Sequence, residues 1–516
     1  MIPALLAIIL AFGIMATSIV QVTLNNLTIT GNIVKSQQAF NVAEAGLNYY
    51  LWHLNHNPTD YKDGGTTPTT PDATLGYGPY THDYIDSGAV NQGTYTLWIK
   101  PTGGGSSVVT VRSIGQATGS DIKRTVQAQI GSPSFASYAV ASDSALWFGN
   151  TESASGPVHS NQGVRMDGPS DSTVSSANAT YTPPGSLGGD GNSHPGVWCH
   201  LSVTTPVNCT NRSKTAWIYP TPLVDFNQVS SSLCTMKKVA FASDSSTAPL
   251  ANQSNACTQV PTNRTAGYLP RRNSTYNATR GYLVSLNSDG TYNLSNVNAE
   301  NDQATPYTSA LTLQTVASNI AIPSSGVIFA EDNVWVRSNP TYHGRVTIAA
   351  GRLSSTNSST YANINIAGSL VYSTKNGSDA IGLVAQDSVV LKPYAPPASG
   401  SFNFEVDGAL LAQSGEVWYP GKYLTDDDRC TRGWTNPNQK FLFYGSVATR
   451  QTWTWTWLQG GSACGDAVFA TGQGYISGIQ NNTTQYDYNL EYAPPPSYPL
   501  TSGYNILSWR EILTRP

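Results

Sequence analysis

Ile2-Pro-Ala-Leu-Leu-Ala-Ile-Ile-Leu-Ala-Phe-Gly-Ile-Met-Ala-Thr-Ser-Ile-Val20 contains no charged residue, and the uncharged stretch runs on to Lys35. About 20 such residues match the hydrocarbon thickness of a bilayer. A secretory signal peptide opens with a basic segment and closes at a small-residue cleavage site. Neither flanks this run, so the expectation is that a short basic leader has been removed and that Met1 is a processed end. Apolar residues then recur at three- and four-residue steps, including Phe40, Val42, Ala43, Leu47, Tyr50 and Leu54. That spacing predicts one continuous amphipathic helix over residues 1–57. Pro3 is tolerated near a helix start, and Pro58 closes the element. Such a helix is roughly 80 Å long. Gly13 and Gly31 are its weak points, each costing about 1 kcal/mol relative to Ala.

Half of this helix is apolar all round and half is one-sided. A plain single-span anchor usually carries flanking basic residues and needs no amphipathic extension. The pattern suits bundling with copies of itself. The residues expected to exchange lipid for neighbouring helices are Ile2, Leu5, Leu6, Ile8, Ile9 and Phe12. Ile14, Ile19, Val20, Leu24 and Leu27 continue the set.

Gln38-Ala-Phe-Asn-Val-Ala-Glu44-Ala-Gly-Leu-Asn-Tyr-Tyr-Leu-Trp52 resembles the N-terminal helix of PilX-type type IV pilin-like proteins, which carry an Ala-Phe-x-Ala-Ala-Glu-Ala-Gly-Leu signature. The resemblance covers about the first 57 residues. It implies cleavage by a prepilin peptidase, methylation of the new N-terminus, residence in the cytoplasmic membrane and assembly by pilus machinery. One departure stands out. Most major pilins carry a glutamate at the fifth mature residue, where this chain has Leu5, so docking by that charge is not expected.

Only 11% of the 516 residues are charged, against roughly 25% in an average soluble protein. The net charge of −4 comes with no Lys/Arg stripe that could follow a phosphate backbone, so nucleic acid is not expected as a partner. Six cysteines on a chain that reads as exported imply disulfides. Neighbour pairing gives Cys199 with Cys209, Cys234 with Cys257, and Cys430 with Cys464, though six cysteines allow about fifteen connectivities.

After the helix, residues 58–92 read as a loop. Strand-like runs follow at residues 94–100, 108–114 and 123–130, so residues 58–133 are expected to form a pilin-like antiparallel β unit. From residue 134 to 516 short apolar clusters recur, such as Val334-Trp-Val336, Val346-Thr-Ile348 and Val389-Val-Leu391. They predict a mainly-β head, a parallel β-helix stack or, failing that, a β-sandwich. Between about 169 and 321 the clusters vanish, which suggests an insertion pinned by disulfides. The fold class is therefore α+β pilin-like, followed by a mainly-β domain.

No catalytic, metal or cofactor site is expected. Polysaccharide-cleaving β-helix enzymes need convergent carboxylates. Glu405 and Asp407 share one strand face and Asp387 could sit on a neighbouring rung, yet solvated carboxylates explain them as well. Asp426-Asp-Asp428 reads as an acidic turn and Asn287-Ser-Asp-Gly290 as a hairpin turn. His53 and His56 stand three apart on the helix without an evident third ligand. Trp453, Trp455 and Trp457 alternate with threonines, which would put them on one strand face as a glycan or subunit contact. The composite expectation is a structural subunit of an extracellular filament. Before assembly it would be membrane-anchored, and its head would be displayed towards a surface or glycan ligand. The alternatives are a low-copy tip adhesin that primes assembly and a membrane-tethered carbohydrate-binding or carbohydrate-active protein.

Overall fold

The computed structural model describes residues 2–57, 60–101, 108–149, 152–200, 216–242, 257–272, 275–301, 310–396, 401–420, 438–459, 475–479, 481–501 and 503–512. It is a long N-terminal helix followed by mainly-β structure in two compact units. The first comprises residues 1–103, 108–132 and 503–516, and the second 104–107 and 133–502.

In the first unit the helix Ile2–His56 packs its C-terminal third on one face of a five-stranded antiparallel sheet. The buried positions are Ala39, Val42, Ala43, Gly46, Leu47, Tyr50, His53 and Leu54, the three- and four-residue steps of a single helix face. They meet Tyr95, Leu97, Val109, Val111, Val126 and Ala128, the alternate residues of the central strands. Two glycines set how closely the layers approach. A Cβ at Gly115 would overlap the Ala39 carbonyl oxygen and the Ala43 nitrogen, and one at Gly46 would strike Ser113 and Tyr95. Gly115→Val should therefore lift the helix from the sheet. We expect a loss of about 1–3 kcal/mol for this unit, read as a lower unfolding temperature or earlier proteolysis near residue 57.

Sheet order is Tyr77–Ile85, Asn91–Pro101, Val108–Ala117, Lys123–Gly131 and then Asn505–Ile512. Two expectations are corrected here. Residues 58–92 are not all loop, because Tyr77–Ile85 forms an edge strand, the place where a proline such as Pro79 is tolerated. Nor does the head run unbroken from 134 to 516. Residues 505–512 return to pair antiparallel with Lys123–Gly131, so the second unit is inserted between two neighbouring strands of the first. Its entry and exit run side by side: Phe135 N–H donates to Pro499 O at 3.0 Å, and Thr501 N–H to Pro133 O at 2.9 Å.

The second unit is built on parallel ladders. One sheet runs through Val174–Ser176, Val158–Ser160, Val140–Ser142, Gln439–Thr449, Phe402–Ala412, Ala380–Ala385, Arg345–Ala350 and Val327–Ala330, all pairs parallel. Asn333–Asn339, Ile364–Ile366, Val389–Leu391 and Val417–Trp418 form a second parallel ladder. Along the chain, strands alternate between the two. No closed sheet is present among the described residues. In the first ladder Ile328, Ile348, Leu383, Leu410, Val447, Val140, Val158 and Val174 align in register as one inward column, each at most 2% exposed. The last strand of the run, Gln439–Thr449, lies beside the first, Val140–Ser142. The chain thus starts mid-stack, leaves in one direction, and returns from the other.

Corners are fixed by side-chain ladders. Ser142, Ser160 and Ser176 stack in register and are fully buried, and their hydroxyls donate to Gln451 O, Ser144 O and Gln162 O at 2.8–3.1 Å. At another corner the Asn333 side-chain oxygen accepts from Asn363 N–H, and that of Asn363 accepts from Ser388 N–H, both at 3.0 Å. Turns at neighbouring strands thereby satisfy one another, as buried polar groups require.

The helix Gln228–Ala242 covers the outer face of the longer sheet, placing Val229, Leu233, Met236 and Phe241 against Phe329, Ala349, Val384 and Leu411. With both faces covered, strands such as Val327–Ala330 read as continuous apolar runs instead of alternating. The stretch 169–321, read from sequence as an insertion without strand-like clusters, consequently contributes to the parallel ladders. It supplies the parallel strand Val174–Ser176, this helix, and the strand Gly281–Asn287, which pairs with Asn333–Asn339. Asn287-Ser-Asp-Gly290 is the hairpin turn joining Gly281–Asn287 to Thr291–Glu300.

Candidate functional site: the exposed helix and the polar clusters of the head

The N-terminal segment is the most unusual surface of the molecule. All eleven residues named above for burial in lipid or in neighbouring helices, from Ile2 to Leu27, are 53–74% exposed. The helix is long and apolar enough to cross a membrane, and its most apolar window has no buried residue. Isolated exposed apolar side chains are ordinary, but a contiguous patch of this extent marks a contact surface. The polar residues within it are partly masked. Thr17, Ser18, Thr23 and Thr28 return their hydroxyls to carbonyls of the preceding turn at 2.8–3.1 Å. Such back-bonding removes four free donors from an otherwise apolar surface. Charge begins at Lys35, whose ammonium donates to Thr118 O at 2.7 Å. Met1 and Pro58 lie outside the described residues.

His53 and His56 are not brought together. His53 Nε2 pairs with Asp60 at 3.1 Å, because the chain after the helix folds back, whereas His56 Nδ1 lies 2.8 Å from Trp52 O. Asp60 thus supplies a carboxylate partner to His53 that the sequence did not make evident. No cluster of three or more His, Cys, Asp or Glu able to hold a metal occurs among the described residues.

Cys234 and Cys257 form a disulfide, tying the Gln228–Ala242 helix to a turn that precedes the strand Tyr268–Leu269. Cys199 is also disulfide-bonded. Cys209, Cys430 and Cys464 lie outside the described residues, as do Asp426, Asp427 and Asp428.

The tryptophan ladder is not one strand face. The chain bends at Trp455, between Trp453–Thr454 on the parallel ladder and Thr456–Gln459, which pairs antiparallel with Tyr475–Gly478. Trp455 is 5% exposed, packed on Phe441 at 5.1 Å and edge-on to Trp453 at 6.1 Å. It serves the core instead of a ligand. The side chain of Trp457 lies outside the described residues.

Glu405 and Asp407 do converge, on Lys375, whose ammonium lies 2.6 Å from Glu405 and 3.0 Å from Asp407. Asp407 also accepts from Tyr372 N–H at 2.9 Å, and Lys375 stands 4.5 Å over the Tyr444 ring. Burial, with help from the neighbouring Glu405, pushes the Asp407 carboxyl up to about 7 against these stabilising contacts. Asp387 sits at the other end of the rung, its carbonyl bonded to Gly415 N–H. The three carboxylates therefore do not form one site. Burial pushes the Asp387 carboxyl up from 3.8 to about 6. The unfolded chain releases that proton first, so this group's contribution to stability falls as pH rises from about 4 to about 6. Asp387→Asn should flatten the dependence of unfolding temperature on pH across that window.

Sequence reasoning missed the buried Lys237–Glu331 ion pair. Both side chains are fully buried, and the Lys237 ammonium also donates to Cys257 O at 2.9 Å. Burial lowers the lysine and raises the glutamate, each opposed by the other's charge. Nothing in the local sequence marks the pair, because its members lie in different elements.

No protein-family model matches the chain, and no curated protein does. Among solved structures it is similar to the competence-associated pilin ComZ from Thermus thermophilus. That match has 12% identity and a TM-score of 0.28, over 93% of this chain and 98% of that one. A superposition at that score carries no argument about fold or role.

Proposed function

We propose that the chain is a structural subunit of an extracellular type IV pilus-like filament, held in the cytoplasmic membrane before assembly. The observation that carries this reading is the exposed, uncharged helix before Lys35, which the chain's own β units leave uncovered. In the membrane it lies in lipid. In the filament, copies of the same segment replace the lipid. The Ala39-Phe-Asn-Val-Ala-Glu-Ala-Gly-Leu47 stretch supports a PilX-type helix, and its sheet-facing residues are those that seat the helix on its own strands. We read the alternating parallel strands of the second unit as coils of a β-helix, displayed outward for contact with surfaces or glycans. The reading assigns no catalysis, since Glu405 and Asp407 are both engaged by Lys375. Filaments sheared from cells and analysed by mass spectrometry test it. This chain should dominate the sheared fibre band. Its presence only as a trace component would shift the assignment to a low-copy tip or priming subunit.

A further inference from the structure

Three contacts fix how the first unit's sheet stands against the helix where charge begins. The Lys35 ammonium donates to Thr118 O at 2.7 Å, and the Gln38 side chain donates to Gln92 O at 2.8 Å. Thr118 N–H in turn donates to Gln92 O at 3.1 Å. Residues 86–90 form the turn that joins Tyr77–Ile85 to Asn91–Pro101, so they project beyond that level towards the exposed part of the helix. Two strand residues span about 7 Å, the rise of about five helical residues. The turn therefore reaches the height of Ile33 and Val34, the last apolar residues before Lys35.

This turn exposes apolar side chains where turns are ordinarily polar. Ile85 and Val90 flank it at 58% and 56% exposed. Its single charge, Asp86, is engaged locally. The carboxylate accepts from Gly88 N–H at 2.9 Å, Val90 N–H at 3.0 Å and the Gln92 side chain at 2.6 Å. Ala89 N–H donates to Asp86 O and Asp86 N–H to Val90 O, both at 3.0 Å. Ala89 holds φ at +59°, a region that glycine or asparagine enters more readily, so the turn keeps an apolar side chain where strain disfavours one. With its N–H groups at Asp86, Gly88, Ala89 and Val90 paired, such a turn leaves water at little cost. Next to it a recess of about 450 Å³ is lined by Asn91, Thr94, Gln116, Thr118 and Ser120, amides and hydroxyls that suit headgroup oxygens.

We propose that the turn 86–90 seats on the bilayer interface before assembly, with Ile85 and Val90 at the boundary between headgroups and acyl chains. The bilayer is the occupant because the helix segment at the same height is long and apolar enough to cross it. Charges of both signs surround the turn, Lys35 and Lys123 with Asp86 and Asp121, so the contact does not require anionic lipid. The inference rests on membrane residence of the helix and adds a second contact to it. Photocross-linking of the full-length chain in phosphatidylcholine vesicles tests it, with p-benzoylphenylalanine in place of Val90, Ile29 or Trp52. Trp52 is equally exposed, at 57%, but stands about 25 Å farther along the helix from Lys35. Positions 29 and 90 should each give on the order of tenfold more phospholipid adduct than position 52. Adduct at 29 with no more at 90 than at 52 would overturn the seating of the turn alone. Absence of adduct at 29 would overturn the membrane residence on which the proposal rests.

Discussion

Ile9→Lys should abolish fibre formation altogether while leaving the β units folded. Ile9 is 63% exposed and lies within a stretch that contacts nothing else in the chain, so the substitution removes no intramolecular packing. A lysine near the centre of a membrane helix is unfavourable by roughly 2.5–3.5 kcal/mol on insertion scales. In a bundle of apolar helices the same charge recurs once per subunit, with no carboxylate before Glu44 to compensate it. The check is electron microscopy of cell-surface material, alongside limited proteolysis of the purified chain. Fibres should be absent and the protease-resistant fragment unchanged. Phe12→Lys should behave alike, since Phe12 is equally exposed and equally distant from any partner charge.

Lys237→Met should destabilise the second unit by about 3–5 kcal/mol, the range observed when one partner of a buried ion pair is removed. Glu331 is fully buried, and its remaining cation, Arg271, is 3.8 Å away. The methionine fills similar volume but leaves the buried carboxylate with only the more distant Arg271 and the hydroxyl of Tyr268, which bonds it at 3.3 Å. The same lysine holds Cys257 O, so the disulfide-closed segment should also loosen. Thermal unfolding checks the magnitude. A paired variant, Lys237→Met with Glu331→Gln, should recover much of the loss, because it removes the buried charge from both sides.

The parts of this structure that were legible in the sequence are those decided by short-range periodicity. The helix was legible because its apolar steps and absence of charge need no long-range information, and Val334-Trp-Val336 or Val389-Val-Leu391 announced strands by being apolar throughout. The fifth strand of the first sheet was not legible. The Asn505–Ile512 strand pairs with Lys123–Gly131 across the whole second unit, and no local signal states which distant edge a strand will join. Tyr77–Ile85 escaped notice because Gly78 and Pro79 read as turn residues, although an edge strand accommodates both. The Gln228–Ala242 helix was hidden in a Ser-rich context whose apolar residues acquire meaning only against the outer face of the sheet. Of the candidate site residues, the exposed helix could be read from composition alone. The tryptophans misled, because alternation implied a continuous strand where the chain bends at Trp455.

The proposed filament requires residues 2–34 to lie in its core. A cryo-electron-microscopy reconstruction of fibres sheared from cells producing the chain locates them directly. The account predicts rods of density at the fibre axis fitting this segment, with the β units outside that core. A fibre whose axis holds other material, or a chain recovered only as dispersed monomers with the segment exposed to solvent, would contradict it.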